Sequence, residues 1–206
     1  MSYKNLISYG ENLLSALKSI DYEKILLLIR EIAKKIDGNG EIFLVGNGGS
    51  AANAHHIAGD YSKTFSILGK CLKITCISDN DCYLTAAAND IDFSEVYEIL
   101  IGSRIMKNDL LILFSGSGNS MNLIKAARKA KKAGIKTSAL VGYNGGALKN
   151  IVDIPIHFTI EDMEIAEDCQ ITTFHYIKQK IVNELCDINK NCSSKYDKRT
   201  KEDLIA

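Results

Sequence analysis

Three times along this chain a short apolar run stops at a glycine-containing turn and gives way to a helical pattern. Glu41–Val45 precedes Gly46-Asn47-Gly48-Gly49-Ser50, Asp109–Phe114 precedes Ser115-Gly116-Ser117-Gly118-Asn119-Ser120, and Lys136–Val141 precedes Gly142-Tyr143-Asn144-Gly145-Gly146. Strands that alternate with helices are joined by crossovers rather than hairpins, so this grammar demands a mostly parallel sheet covered by helices on both faces. In such sheets ligands bind outside the carboxyl ends of the strands, where these glycine-rich turns fall.

The rest of the chain fits the same plan. Residues 2–36 carry apolar positions at helical spacing, Leu6, Leu13, Leu14 and Leu17, then Ile25, Leu28, Ile29 and Ile32, which predicts two helices broken near Ile20–Asp21. A helix is expected to start at Ser50, which can cap the alanine-rich run behind it. Further strands are expected at Cys71–Ile77 and Ile154–Phe158, the latter at a sheet edge because it holds Pro155, the only proline. Helices are expected at Asp81–Ala88, Glu95–Ile105 and Ser120–Ala133, a turn of helix at Ala147–Asn150, and a long closing helix at Glu167–Cys186. Residues 1–186 therefore read as one domain, and 187–206 as a polar C-terminal tail to which no function attaches.

With 206 residues and 46% hydrophobic content, the chain can bury a full core. Lys plus Arg equals Asp plus Glu at 25 each, so no net field draws in nucleic acid or an anionic membrane, and any anion site must be local. Six cysteines without CxxC pairs, and no secretory or membrane-spanning segment, give a cytoplasmic protein with reduced thiols as the expectation.

The first two turns carry the chemistry. In Gly46–Ser50, glycines allow close approach of the backbone to a ligand, and the exposed amides of a helix start face an anion that the helix dipole also favours. The alternative is a tight strand-to-helix turn and nothing more. In Ser115–Ser120, three hydroxyls among glycines can satisfy several phosphate oxygens without a lysine. Two such loops at strand ends of one sheet suit a monophosphate. No acidic ribose partner follows the first loop at the usual spacing, so no nucleotide cofactor is expected.

The ordered set Gly46-Asn47-Gly48-Gly49-Ser50-Ala51-Ala52, Ala88-Asn89-Asp90, Ser115–Ser120 and Gly142–Gly146 resembles the sugar isomerase (SIS) domain family, and within it the phosphoheptose isomerases. The resemblance spans about residues 5–186 and implies a three-layer, flavodoxin-like α/β sandwich that assembles as a homotetramer with sites built from more than one subunit. It implies that Ser50, Ser115, Ser117 and Ser120 hold a phosphate, while Asn47, Gly48, Gly49, Asn89, Asp90 and Gly116 line the sugar site. Isomerising members are similar in having a His and a Glu four residues apart after the first loop, with a Gln and a His eight apart on the closing helix. Here these positions are His56 and Asp60, then Gln170 and Lys178.

Residue spacing bears on the same positions. His56 and Asp60 at i and i+4 share a helix face and can ligate a metal together or pair as ions. Gln170 and Lys178 fall within about 80° of each other, whereas His175 lies about 140° from Gln170 and is expected to stay outside the site. His55 is expected to face outward and His157 to sit on the edge strand. The expected catalytic set is Asp60 as base with Gln170 and Lys178, and the expected metal set is His56, Asp60 and Gln170, with zinc as the metal. Two further readings stand beside the isomerase: a non-catalytic tetrameric protein-binding platform, similar to the DnaA initiator-associating proteins, and a sugar-phosphate sensor.

Overall fold

The computed structural model describes residues 5–188, with side chains to residue 186. Its elements in chain order are α1 (Leu6–Lys18), α2 (Tyr22–Ala33), β1 (Ile42–Gly46), α3 (Gly48–Ile67), β2 (Ile74–Cys76), α4 (Asp81–Asp90), α5 (Val96–Arg104), β3 (Leu110–Ser115), α6 (Met121–Lys132), β4 (Lys136–Val141), α7 (Leu148–Ile151), β5 (Ile154–His157) and α8 (Met163–Ile188). The five strands form one all-parallel sheet in the order β2-β1-β3-β4-β5. This is the flavodoxin-like order, and it puts β1 and β3 side by side at the point where the winding reverses. Pro155 lies on the edge strand β5, as its missing amide hydrogen requires.

Strand alternation divides the core into two halves. Ile42, Leu44, Leu110, Ile112 and Phe114 face α1, α2, α3 and α8, whereas Phe43, Val45, Leu111, Leu113 and Val141 face α4 to α7. Both faces are covered, which is why β1 and β3 read as unbroken apolar runs rather than as alternating ones. Each such buried aliphatic or aromatic side chain contributes roughly 1.5–3 kcal/mol over its exposed state.

The two N-terminal helices separate where the sequence placed the break. Ser19 closes α1, its hydroxyl donating to the Ala16 carbonyl, and Asp21 caps α2 by accepting from the Glu23 amide at 3.0 Å. At the other cap the expectation needs correcting: α3 starts at Gly48, two residues before Ser50, with Asn47 at the cap position. Gly48 makes this possible by taking φ +51°, a conformation that few side chains tolerate. The closing helix likewise begins earlier than expected, at Met163, and continues to Ile188, into the first residues of the expected tail; the rest of that tail lies outside the described residues. Among the described residues no helix is long and apolar enough to cross a membrane.

Candidate active site

Because β1 and β3 are neighbours in register, their carboxyl ends bring the two glycine-rich turns together. Asn47, Gly48, Gly49 and Ser50 from one, and Ser115, Gly116, Ser117 and Ser120 from the other, line a single cavity of about 290 Å³, with Phe114, Met163 and Glu167. The turns are also locked to each other. Asn47 and Asn122, at the start of α6, exchange two amide hydrogen bonds of 3.0 Å each, and the Tyr97 hydroxyl donates to the Gly46 carbonyl at 3.0 Å. The Asn47 amide is thereby used on both its oxygen and its nitrogen.

The second turn holds itself open by internal hydrogen bonds. Ser115 Oγ accepts from the Gly118 amide and Ser117 Oγ from the Asn119 amide, which leaves both hydroxyl protons available to a ligand. Gly118 takes φ +67° and packs against the Gly145 and Gly146 backbone, so the third glycine-rich turn buttresses the second. Asn89 and Asp90 do not reach this cavity: they end α4, exposed, bonded to each other at 2.9 Å.

From the cavity a ladder of polar pairs runs along the seam between α3 and α8, which lie side by side and point the same way. Ser50 Oγ donates to Glu167 Oε1 at 3.5 Å, and Asn53 Nδ2 to the Glu167 carbonyl at 2.9 Å and to Gln170 Oε1 at 3.2 Å. Next, His56 Nε2 meets His175 Nε2 at 3.1 Å, and Asp60 pairs with Lys178. Gln170 is wholly buried, and its Nε2 has no partner in the structure, which leaves one unsatisfied donor at the centre of the seam.

His175 corrects the sequence expectation. Measured from Gln170 it is far round the helix, but it lies only about 60° from Lys178, and the face of α8 turned to α3 takes in both. His56, Asp60 and His175 accordingly present ligand atoms within 4.8 Å of one another. His55 instead faces outward, near the Ser78 carbonyl, and His157 contacts Lys149 and the Tyr143 carbonyl.

Electrostatics separates the two carboxylates of the seam. Burial raises the Asp60 carboxyl, but hydrogen bonding and charge from Lys178, then Lys63, outweigh it and hold the group below the ordinary value of 3.8. Burial pushes Glu167 the other way, and its neighbours Glu164 and Asp168 add to the rise, against hydrogen bonds from Ser50. Burial, followed by the charges of Lys178 and His56, holds the His175 imidazole below its usual value and so favours its neutral, ligating form.

The donor set suits zinc. Two imidazoles and a carboxylate leaving a fourth position open are a common catalytic zinc arrangement, and two nitrogens on one tetrahedral ion stand about 3.3 Å apart, close to the His56–His175 separation. Lys178 cannot ligate as an ammonium and competes for Asp60.

The SIS domain profile matches residues 6–142, two thirds of the chain. The chain belongs to the SIS domain family. Within it, the chain is 32% identical over 174 residues to phosphoheptose isomerase of Helicobacter pylori (strain Shi470), covering 84% of this SIS protein and 90% of that one. It is 34% identical over 178 residues to phosphoheptose isomerase of Chlorobaculum tepidum, covering 84% of each chain. It therefore falls in the phosphoheptose isomerase group of SIS proteins. The fold superimposes on the phosphoheptose isomerase structures from Neisseria gonorrhoeae, with TM-score 0.75 at 24% identity over 84% of this chain and 94% of that one, and from Francisella tularensis, with TM-score 0.76 at 22% identity over 88% and 98%.

Sequence reasoning missed Glu167, Met163 and Asn122. Glu167 had one signal, its place three residues before Gln170 on the same helical face. Asn122 had none, because its partner is 75 residues away.

Proposed function

We propose that this SIS protein is an aldose–ketose isomerase that converts sedoheptulose 7-phosphate into a D-glycero-D-manno-heptose 7-phosphate. The observation that carries this reading is the joining of one hydroxyl- and amide-lined cavity of about 290 Å³ to a seam holding a carboxylate, an amide, two imidazoles and an ammonium. Ser50, Ser115, Ser117 and Ser120, with the amides of Gly48, Gly49 and Gly116, hold the phosphate. The sugar carbons then extend along α3 towards His56, about 9 Å beyond Ser50 at 1.5 Å per residue.

Isomerisation moves one proton between C1 and C2 and redistributes protons on the two oxygens. Asp60, kept ionised by Lys178, is the base that takes the proton from one carbon and returns it to the other. The free Gln170 Nε2–H and the Lys178 ammonium donate to the oxygens as charge develops on them. His56, Asp60 and His175 would hold a zinc ion, which when bound polarises the carbonyl. Catalysis is assigned to Asp60, Gln170 and Lys178, with His175 taking the ligand position first given to Gln170.

A cytoplasmic homotetramer completes the reading. Leu6, Ile7 and Leu14 on α1, and Ile91 and Phe93 after α4, are large apolar side chains exposed on the single chain, and burying them between copies supports assembly. Asn89 and Asp90 lie next to that second patch, so a neighbouring subunit's cavity is their destination. We assign residues 1–186 to one domain.

The test is the thermal shift given by sedoheptulose 7-phosphate, since a ligand of the folded state alone stabilises by mass action. Ser115→Ala with Ser117→Ala is expected to abolish most of the shift, and an undiminished shift would refute the phosphate assignment.

A further inference from the structure

The cavity that both turns line contains a charge of the wrong sign for its ligand. Its lining includes no lysine or arginine, and its one ionisable side chain is the Glu167 carboxylate. That carboxylate lies against Gly49 so closely that a side chain at 49 would strike it, and it takes a hydrogen bond from the Ser50 hydroxyl. It thus occupies part of the first turn of α3, where Asn47 provides no side-chain cap. An oxyanion entering the cavity must either share the Ser50 hydroxyl and the space beside Gly49 with Glu167 or displace it.

The consequence differs between ligands. Inorganic phosphate brings charge and, as the dianion, a single proton to donate, so like-charge repulsion from a half-buried carboxylate opposes it with little return. A sugar phosphate brings hydroxyl groups on the carbons beside the ester, and a carboxylate is the strongest hydrogen-bond acceptor among the side chains for such a group. We propose that Glu167 is a specificity residue which rejects bare phosphate and admits phosphate esters carrying neighbouring hydroxyls. The inference rests on the reading of the cavity as a sugar-phosphate site and adds to it the means of discrimination. Serine hydroxyls and glycine amides contact only the phosphate group that the two ligands share, so within this cavity Glu167 is the side chain able to tell them apart.

The test compares affinities of orthophosphate and of sedoheptulose 7-phosphate by calorimetry in the parent, in Glu167→Gln and in Glu167→Ala. The expected result is that orthophosphate binds at least tenfold more tightly to both variants, while the sugar phosphate binds as before or more weakly. The preference for the ester then falls at least tenfold. A role for Glu167 in folding alone would change both affinities by the same factor, and an unchanged ratio in either variant overturns the inference. The Ser115→Ala/Ser117→Ala protein distinguishes failure of the Glu167 role from failure of the sugar-phosphate reading of the cavity. It is expected to lose both ligands, and if it keeps them the cavity has been misread, whatever the Glu167 variants do.

Discussion

Asp60 on α3 and Lys178 on α8 form an ion pair whose side chains are only 12% and 10% exposed, with Lys63 reaching the other carboxylate oxygen at 3.4 Å. A charge pair this enclosed costs desolvation, and it holds together because each partner removes the penalty of the other. Lys178→Met is therefore expected to leave a poorly compensated carboxylate between the helices and to lower stability by on the order of 3 kcal/mol. Urea denaturation measures this, and a loss within error of zero would show that Lys63 and solvent satisfy Asp60 unaided.

The same pair sets a pH dependence. The folded-state value of Asp60 lies below the ordinary 3.8, so its stabilising contribution is complete above that value and is lost as pH falls through it towards the folded value. Between pH 5 and 3 the parent is expected to lose more stability than Asp60→Asn. Parallel stability curves for the two proteins would contradict the assignment.

Much of the fold was legible because parallel strands buried on both faces and ended by glycine leave a strong local signature; β4 begins and ends where the pattern predicts. The cavity was legible for the same reason, since each of its two turns carries its own glycine and serine pattern. The seam was less so. His175 and Glu167 join the site through the way α8 packs on α3, a long-range relation that angular spacing within one helix does not contain. The angle between His175 and Gln170 does not decide which of them faces α3, because the ladder along the seam drifts round α8 between residues 167 and 178. The start of α3 was misplaced for a local reason: a Ser followed by alanines resembles a cap, but Gly48 can enter the helix at a positive φ that the pattern does not reveal.

Zinc separates the two versions of the metal set. Calorimetric titration with zinc is expected to show binding weakened at least about tenfold by His56→Ala or by His175→Ala, the scale on which lesser, indirect partners of a metal already act. Lys178→His, which replaces a competing cation with a neutral donor, is expected to tighten it. Loss of zinc in Gln170→Ala, with retention in His175→Ala, would restore the set expected from sequence.

Proton transfer between two carbons of a bound sugar phosphate, the role proposed for the seam, is measured directly by turnover of sedoheptulose 7-phosphate by the parent and by Asp60→Asn. The substitution keeps size and hydrogen bonding but removes the basic carboxylate. Measurable isomerisation by the parent is expected, with a fall of at least about a hundredfold in the variant and nearly unchanged affinity for the substrate. Absence of turnover in the parent, with zinc supplied and with no exchange of the C1 or C2 hydrogens in deuterated water, would contradict that role and leave a sugar-phosphate sensor or a protein-binding platform in its place.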